Sequence, residues 1–281
     1  MPRGMSEDHT IAFVGAGNMA GALIRGLVGT ATVPADQIIA ADPDEARLSL
    51  LESELGIRVT RDNGEAVREA TVVVLAIKPQ VFAQVLPGIA TAMVAETLLV
   101  SIAAGISTRM IEGAVPPGSR VIRTMPNTPA LVGAGATAIA AGSHASDADL
   151  EVAETLFRSV GISVRVPEAQ IDAVTGLSGS GPAYVFAMIE ALRDAGAREG
   201  LPEETALRLA SQTVFGAARL LLDEGEAPEV LRERVTSPGG TTRAGLDALA
   251  QAGFTDAIVG AVRAATRRSV ELGKIAEGAG G

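Results

Sequence analysis

The chain is poor in the side chains that most enzymes use for acid–base or metal chemistry. It has no cysteine and no tryptophan, one tyrosine and two histidines in 281 residues. The absence of cysteine excludes a thiol nucleophile, a thiolate metal site and a disulfide framework. His9 and His144 lie in polar segments and are interpreted as solvated loop residues, and the only lysines are Lys78 and Lys274. We therefore expect no metal site and few conventional acid–base groups.

Basic charge, aromatic residues and long apolar runs are also scarce. A formal net charge of −10 and an aromatic content of 2% argue against nucleic-acid binding, because phosphates would be repelled and bases would find few stacking partners. No apolar run is long enough to span a membrane, and the opening MPRGMSEDHT lacks an apolar signal core. The first eight or nine residues are expected to form a loose polar head, and the protein is expected to be cytoplasmic and without a membrane partner.

Aliphatic residues supply most of the hydrophobic content of 47%. In the first half, short apolar runs alternate with helical patterns, which is typical of a mostly parallel sheet covered by helices on both faces. The predicted strands are 11–14, 38–41, 72–77, 98–102, 121–124, 136–140 and 162–166. The predicted helices between them are 19–28, 44–55, 63–69, 80–93 and 147–160. Ligands of such sheets bind beyond the carboxyl ends of the strands.

After Val166 the pattern changes to helices alone. The predicted helices are 168–175, 182–199, 202–224, 228–236, 241–250 and 255–277. The sequence thus predicts an α/β domain over residues 1–166 and an all-α domain over 167–281. Residues 205–222 are apolar on most helical faces, and such a helix is normally buried. Burial inside one small helical domain is possible, but a dimer interface would bury this helix better.

The segment Ile11 to Gly21, IAFVGAGNMAG, combines a short strand, a glycine-rich turn and the start of a helix. Its G-x-G-x-x-A spacing is typical of a Rossmann dinucleotide-binding unit, in which the helix N-terminus faces the pyrophosphate. An ordinary glycine turn is the alternative. The predicted cofactor contacts in this segment are Gly15, Gly17, Asn18 and Met19.

Asp42 follows the second predicted strand, at the position where an acid bonds the ribose 2′-hydroxyl of NAD and repels the 2′-phosphate of NADP. This position favours NADH over NADPH. Two alternatives remain open, since Asp42 could instead cap the next helix and Arg47 could meet a 2′-phosphate.

Two further loops are predicted at the same edge of the sheet. AIKPQ, residues 76–80, ends the strand at 72–77, and its backbone could lie along the nucleotide, with Lys78 as a cationic anchor or a solvated side chain. RTMPNTPA holds Asn127 on a loop stiffened by two prolines. The predicted cofactor contacts in these loops are Ala76, Lys78, Pro79 and Asn127.

Two segments combine glycines with hydroxyl residues where helices start, LSGSGPAY and VTSPGGTT. Backbone N–H groups and hydroxyls there could bind an anion such as a substrate carboxylate, although helix capping alone is the simpler explanation. The predicted substrate contacts are Ser178, Ser180, Gly181, Ser237, Gly239, Gly240, Thr241 and Thr242.

Together GAGNMAGALIRGL, AIKPQ, RTMPNTP, LSGSGPAYVF and VTSPGGTTRAGL resemble the Δ1-pyrroline-5-carboxylate reductases, over roughly residues 11–272. The resemblance implies a Rossmann domain, a helical domain that forms an intertwined dimer, and in some members a decamer. It implies reduction of L-1-pyrroline-5-carboxylate to L-proline with NADPH or NADH, the last step of proline biosynthesis. It also implies that Ser237–Thr242 hold the substrate carboxylate and that the catalytic Thr242 hydroxyl lies near the substrate nitrogen.

One departure concerns the cofactor, because many family members carry Ser or Asn where this chain has Asp42. Dual cofactor use or a preference for NADH is therefore an open question. The nearest alternative enzyme is a 3-hydroxyacid dehydrogenase or a generic imine reductase. The hydroxyacid type needs a helical-domain lysine, and only Lys274 is present there. A non-catalytic redox-sensing regulator would need a basic or exposed apolar arm, and the acidic chain shows no basic arm.

Overall fold

A computed structural model of the protein describes residues 9–278, so most of the predicted polar head and the last three residues lie outside the described part. An eight-stranded sheet has the order β3-β2-β1-β4-β5-β6-β7-β8. The strands are β1 Ile11–Val14, β2 Ile38–Ala41, β3 Arg58–Thr60, β4 Val72–Leu75, β5 Leu98–Ser101, β6 Arg120–Met125, β7 Gly135–Ala141 and β8 Gly161–Arg165. All neighbouring pairs are parallel except β6 and β7. The predicted mostly parallel sheet is confirmed.

Both faces of the sheet are buried, because side chains of each central strand point alternately to two separate apolar clusters. Ile11 and Phe13 of β1 belong to one cluster, and Ala12 and Val14 belong to the other. Helices cover the two faces. They are α1 Asn18–Gly29, α2 Glu45–Leu55, α3 Asn63–Arg68, α4 Phe82–Ala92, α5 Thr108–Glu112 and α6 Asp147–Arg158. The short elements β3 and α5 are not predicted by the sequence pattern.

The described residues beyond Val166 form helices and turns only, as predicted. The helices are α7 Ile171–Val174, α8 Gly181–Arg198, α9 Glu203–Glu224, α10 Pro228–Arg234, α11 Thr241–Gln251 and α12 Phe254–Gly278. The chain divides into two compact units, one ending at Ser180 and resuming at Ala264, the other spanning Gly181–Arg263. The change from alternating strands and helices to helices alone occurs at the predicted boundary between residues 166 and 167. That this position is the domain boundary stays a prediction. No helix within residues 9–278 is both long and apolar enough to cross a membrane.

Two histidine predictions have different outcomes. His144 is exposed, as expected. His9 is half-buried, and its Nδ1 lies 3.0 Å from Thr71 Oγ1, so it is not a solvated loop side chain. The pairing of β1 with β4 explains the difference, since it brings the residues before both strands together.

Arginine–glutamate pairing fastens the edge strand β8 to helix α6. Arg165 Nε donates to Glu154 Oε1 at 2.7 Å, and Arg158 Nη2 donates to Glu154 Oε2 at 3.1 Å. The hydrogen bond from Arg165 lowers the pKa of the Glu154 carboxyl below its usual range, against the opposing effect of burial. This cluster lies at the far edge of the sheet from β3.

Candidate functional site

The glycine-rich turn after β1 is held by tight backbone contacts. Gly15 has a φ of +99°, and its N–H donates to the Ala41 carbonyl at 2.7 Å. A Cβ at this position would lie 2.6 Å from the Ala76 carbonyl oxygen. Both the dihedral angle and the contact therefore require glycine. The turn joins the carboxyl ends of β1, β2 and β4.

The N-terminus of α1 is open for a ligand. Gly17 is its N-cap residue, and within residues 9–278 no side-chain cap binds the free N–H groups of the first turn. A Cβ on Gly17 would meet no atom within 4 Å, so there is space in front of the helix. Asn18 is exposed and Met19 is half-buried in the first turn. These residues fit the pyrophosphate of a dinucleotide.

The Asp42 carboxylate, predicted to contact the ribose, binds two backbone amides. Its Oδ2 accepts from the Ala16 N–H at 2.7 Å, and its Oδ1 accepts from the Asp44 N–H at 2.8 Å. The residue is 8% exposed. The alternative that Asp42 caps the next helix is wrong, because Asp44 accepts the N–H groups of Ala46 and Arg47 at the start of α2. Each Asp42 oxygen keeps lone-pair capacity for a ribose hydroxyl.

The second alternative for this region assigned a 2′-phosphate to Arg47. Its Nε lies 3.1 Å from Asp44 Oδ2, and its side chain is 56% exposed. A guanidinium can donate five hydrogen bonds, so this pair leaves donors for a phosphate. The structure thus holds an acid and a base near the end of β2.

The loop after β4 lies beside the glycine-rich turn. Ala76 N–H donates to the Val14 carbonyl at 2.8 Å, which fixes the start of the loop. Pro79 begins a single helical turn, and the preceding Lys78 is exposed. Within residues 9–278, Lys78 has no carboxylate within ion-pair distance. Its ammonium is available to an anionic ligand.

Asn127, predicted to contact the cofactor, is buried and joins three segments. Its Oδ1 accepts from the Ala136 N–H at 2.8 Å, and its Nδ2 donates to the Ser178 carbonyl at 3.1 Å. The amide therefore ties the loop after β6 to the start of β7 and to the LSGS segment. Contact with a cofactor stays a prediction for this residue.

The LSGS segment forms a wide helical turn before α8. The Ser180 N–H donates to the Thr175 carbonyl at 2.8 Å, an i to i−5 bond of the π-helical type that is frequent at functional sites. Ser178 and Ser180 are half-buried, and Gly181 begins α8. The turn leaves both serines partly accessible.

The VTSPGGTT segment leads into α11 in the second unit. Gly240 N–H donates to the Ser237 carbonyl at 3.0 Å, and Gly239 has a φ of +70°, so the turn is built on glycine. A Cβ on Gly240 would collide with the Ser237 hydroxyl. No side chain caps the N-terminus of α11, and both Thr241 and Thr242 are exposed in its first turn. The segment presents free N–H groups and hydroxyls together.

The parallel strands explain which predicted residues share one edge of the sheet. Gly15, Asp42 and Ala76 follow β1, β2 and β4 directly, and those strands are neighbours. The Ala16 amide was not predicted as the partner of Asp42, since no local pattern indicates a hydrogen bond across 26 residues. Within the described residues, no three acidic or histidine side chains come together as metal ligands would.

Two family models match this chain. One, described as NADP oxidoreductase, coenzyme F420-dependent, matches residues 10–105, and one, described as pyrroline-5-carboxylate reductase dimerisation, matches residues 168–272. A pyrroline-5-carboxylate reductase of Methanosarcina acetivorans is 45% identical over 95% of this chain and 99% of its own.

Solved structures agree with these matches. A pyrroline-5-carboxylate reductase from Coxiella burnetii is 37% identical, covers 94% of this chain and 98% of its own, and has a TM-score of 0.90. A pyrroline carboxylate reductase from Plasmodium falciparum, solved with NADP bound, is 29% identical over 96% of this chain and all of its own, with a TM-score of 0.84. The first unit thus has the fold of an NADP-type dinucleotide-binding oxidoreductase. Because sequence and fold agree over almost the whole length, the chain belongs to the pyrroline-5-carboxylate reductase family.

Proposed function

We propose that the protein reduces L-1-pyrroline-5-carboxylate to L-proline with a nicotinamide dinucleotide, the last step of proline biosynthesis. The observation that carries this proposal is the similarity to pyrroline-5-carboxylate reductases over nearly the full length of both chains. The two segments predicted to bind substrate, LSGSGPAY and VTSPGGTT, lie inside the range of the family's dimerisation model.

The first unit would hold the cofactor at the carboxyl edge of the sheet. The open N-terminus of α1 fits the pyrophosphate, and Gly15 and Gly17 let the backbone approach it. Asp42 lies where the ribose of the adenosine half is bound in such folds. Asn18, Met19, Ala76, Lys78, Pro79 and Asn127 complete the proposed contacts. When it is bound, the reduced nicotinamide supplies a hydride to the carbon of a C=N bond.

The substrate carboxylate is proposed to bind at the N-terminus of α11. Its free N–H groups carry a partial positive charge, and the hydroxyls of Ser237, Thr241 and Thr242 lie beside them in sequence. Gly239 and Gly240 give the turn its shape. Ser178, Ser180 and Gly181 of LSGSGPAY are separately proposed as substrate contacts.

Reduction of a cyclic imine requires few acid–base groups from the protein. A cyclic imine is basic enough to be partly protonated near neutral pH, and the iminium carbon is already electrophilic. The remaining task is to align two bound partners, which is catalysis by proximity and orientation. The Thr242 hydroxyl is proposed to donate a hydrogen bond to the ring nitrogen and to steer its proton.

The helical unit requires a partner to bury its apolar surface. Among the described residues of Gly181–Arg263, only Ala206 and Ala210 are buried. Phe186 is 61% exposed and Phe215 is 63% exposed. Exposed aromatic and aliphatic residues in such number indicate an interaction surface. With the match to the family's dimerisation model, they identify the protein as a homo-oligomer; a dimer, and a decamer built from dimers, are proposed.

The function is tested by a steady-state assay of L-1-pyrroline-5-carboxylate reduction, followed at the nicotinamide absorbance with NADH and NADPH in parallel. Efficient oxidation of either cofactor is expected, with L-proline as the product detected by mass spectrometry. A folded sample that binds a dinucleotide but oxidises neither cofactor with this substrate would contradict the proposal. Six-membered cyclic imines serve as the comparison substrates, since they differ by one methylene.

Substituting Asp42→Ser should raise the ratio of kcat/KM for NADPH to that for NADH by about tenfold, since a carboxylate beside a 2′-phosphate is repulsive. Affinity for both cofactors should fall somewhat, because the Ala16 amide loses its acceptor. Asp42→Asn is the matched control, since it removes the charge and keeps the shape. If both variants leave the ratio unchanged, Asp42 does not face the ribose.

Substituting Thr242→Ala should lower kcat by about 10- to 100-fold, the value of one hydrogen bond to a charged group. The dissociation constant for the cofactor should hardly change. Thr242→Ser should restore most of the rate, and Thr236→Ala should leave it intact, because the Thr236 hydroxyl only donates to the Arg232 carbonyl in α10. Near-normal turnover in Thr242→Ala would rule out the proposed role.

Substituting Leu209→Glu in α9 should dissociate the oligomer, because a charge would have to be buried in the interface. Leu50→Glu in α2 is the control, since Leu50 is 52% exposed and Leu209 is 55% exposed in the single chain. Sedimentation velocity should give the unmodified mass for Leu50→Glu and a smaller mass for Leu209→Glu. An unchanged mass in Leu209→Glu would place the interface elsewhere.

A further inference from the structure

A carboxylate that the sequence analysis did not single out fastens the loop that follows β5. Glu168 begins a single helical turn after β8, and its Oε1 accepts from the Thr108 N–H at 2.7 Å. Its Oε2 accepts from the Thr108 hydroxyl at 2.5 Å. Both oxygens of Glu168 are thus used by one residue at the start of α5, 60 positions earlier in the chain.

The same carboxylate pairs with a buried cation. Arg123 lies on β6, is 7% exposed, and donates from Nη1 to Glu168 Oε1 at 3.2 Å. Its Nε is buried and has no hydrogen-bond partner in the described part of the chain. A buried ion pair adds little net stability, since well-packed apolar residues in its place often give a fold that is as stable. The arrangement instead fixes geometry, because Thr108 and Arg123 must both meet one carboxylate.

The geometry that it fixes is that of residues 102–107, which we call the β5 loop. At its start, the Ala103 N–H donates to the Ser101 hydroxyl at 3.3 Å. In its middle, Gly105 has a φ of +76°, and a Cβ there would lie 3.5 Å from the Gly273 nitrogen of α12. At its end, Glu168 holds Thr108. Ala104 alone of these six residues is exposed.

The β5 loop lies on the side of the cofactor site opposite to Asp42. In a doubly wound sheet the dinucleotide crosses the point where the strand order reverses, here between β1 and β4. Asp42 follows β2, on the side of the adenosine half. The β5 loop follows β5, the neighbour of β4, and therefore flanks the half that carries the nicotinamide.

We propose that Glu168 is a positioning residue, which holds the β5 loop in place against the nicotinamide half of the cofactor through Thr108 and Arg123. This role rests on the proposed function, since it requires a nicotinamide cofactor. It does not require Glu168 to touch the cofactor or the substrate. Its effect should be confined to one half of the dinucleotide.

Titration calorimetry with NADH and with ADP separates the two halves, because ADP has the adenosine and pyrophosphate but no nicotinamide. In Glu168→Gln, the dissociation constant for NADH should rise about tenfold and kcat should fall by about 10- to 100-fold, as expected for a displaced positioning group. The dissociation constant for ADP should stay within about twofold of the unmodified value. Equal weakening of both ligands, or of neither, would overturn the proposal.

A second pair of variants, at Thr108, tests the same role if Glu168→Gln does not fold. Thr108→Val removes only the hydroxyl bond to Glu168 and should show the same selective loss, whereas Thr108→Ser should restore NADH binding. Glu154→Gln is the matched control, because it also removes a carboxylate paired with arginines but lies at β8 and α6. It should leave NADH and ADP binding unchanged. Failure of the unmodified protein to bind either NADH or NADPH would overturn the proposed function and this role with it.

Discussion

The carboxyl edge of the sheet at β1, β2 and β4 depends on the backbone contact at Gly15. The ends of three strands meet there, since Gly15 N–H reaches the Ala41 carbonyl at 2.7 Å and Ala76 N–H reaches the Val14 carbonyl at 2.8 Å. A single methyl group at Gly15 would lie 2.6 Å from the Ala76 oxygen and would push β1 and β4 apart. The helix α1 starts three residues later, at Asn18, so this contact sets the direction of its N-terminus. The same contacts therefore fix both the pairing of β1 with its two neighbours and the position of the α1 N-terminus.

Two carboxylates of the first unit, Asp42 and Glu168, accept hydrogen bonds from backbone amides. Asp42 binds the amides of Ala16 and Asp44, and Glu168 binds the amide and the hydroxyl of Thr108. Each acid thereby fixes a loop at the carboxyl edge of the sheet, where loops would otherwise be the most mobile part of the fold. Moving either acid would break these hydrogen bonds, so the two carboxylates help to keep the loops at this edge rigid.

The two acids also show what the sequence could and could not predict. The strands β1 and β2 were predictable because each is a buried aliphatic run that ends at a glycine or an aspartate. The bond between Asp42 and Ala16 was not, since it exists only because β1 and β2 pair, and a local pattern offers Asp42 only a ribose or a helix cap. The strand β3 was missed because it has three residues, and its Arg58 is exposed at the sheet edge.

The same limit applies to the candidate site. Glycine-rich segments at helix starts could be read directly, because Gly15 and Gly239 have φ values of +99° and +70°, which favour glycine. The residues that hold these segments in place come from distant strands and leave no local pattern. Hydride transfer to a protonated imine depends on alignment more than on proton transfer, so its rate is sensitive to such supporting contacts. Because histidine and lysine are scarce, the carboxyl edge of the sheet is held by backbone geometry and by the carboxylates of Asp42 and Glu168, which bind its loops.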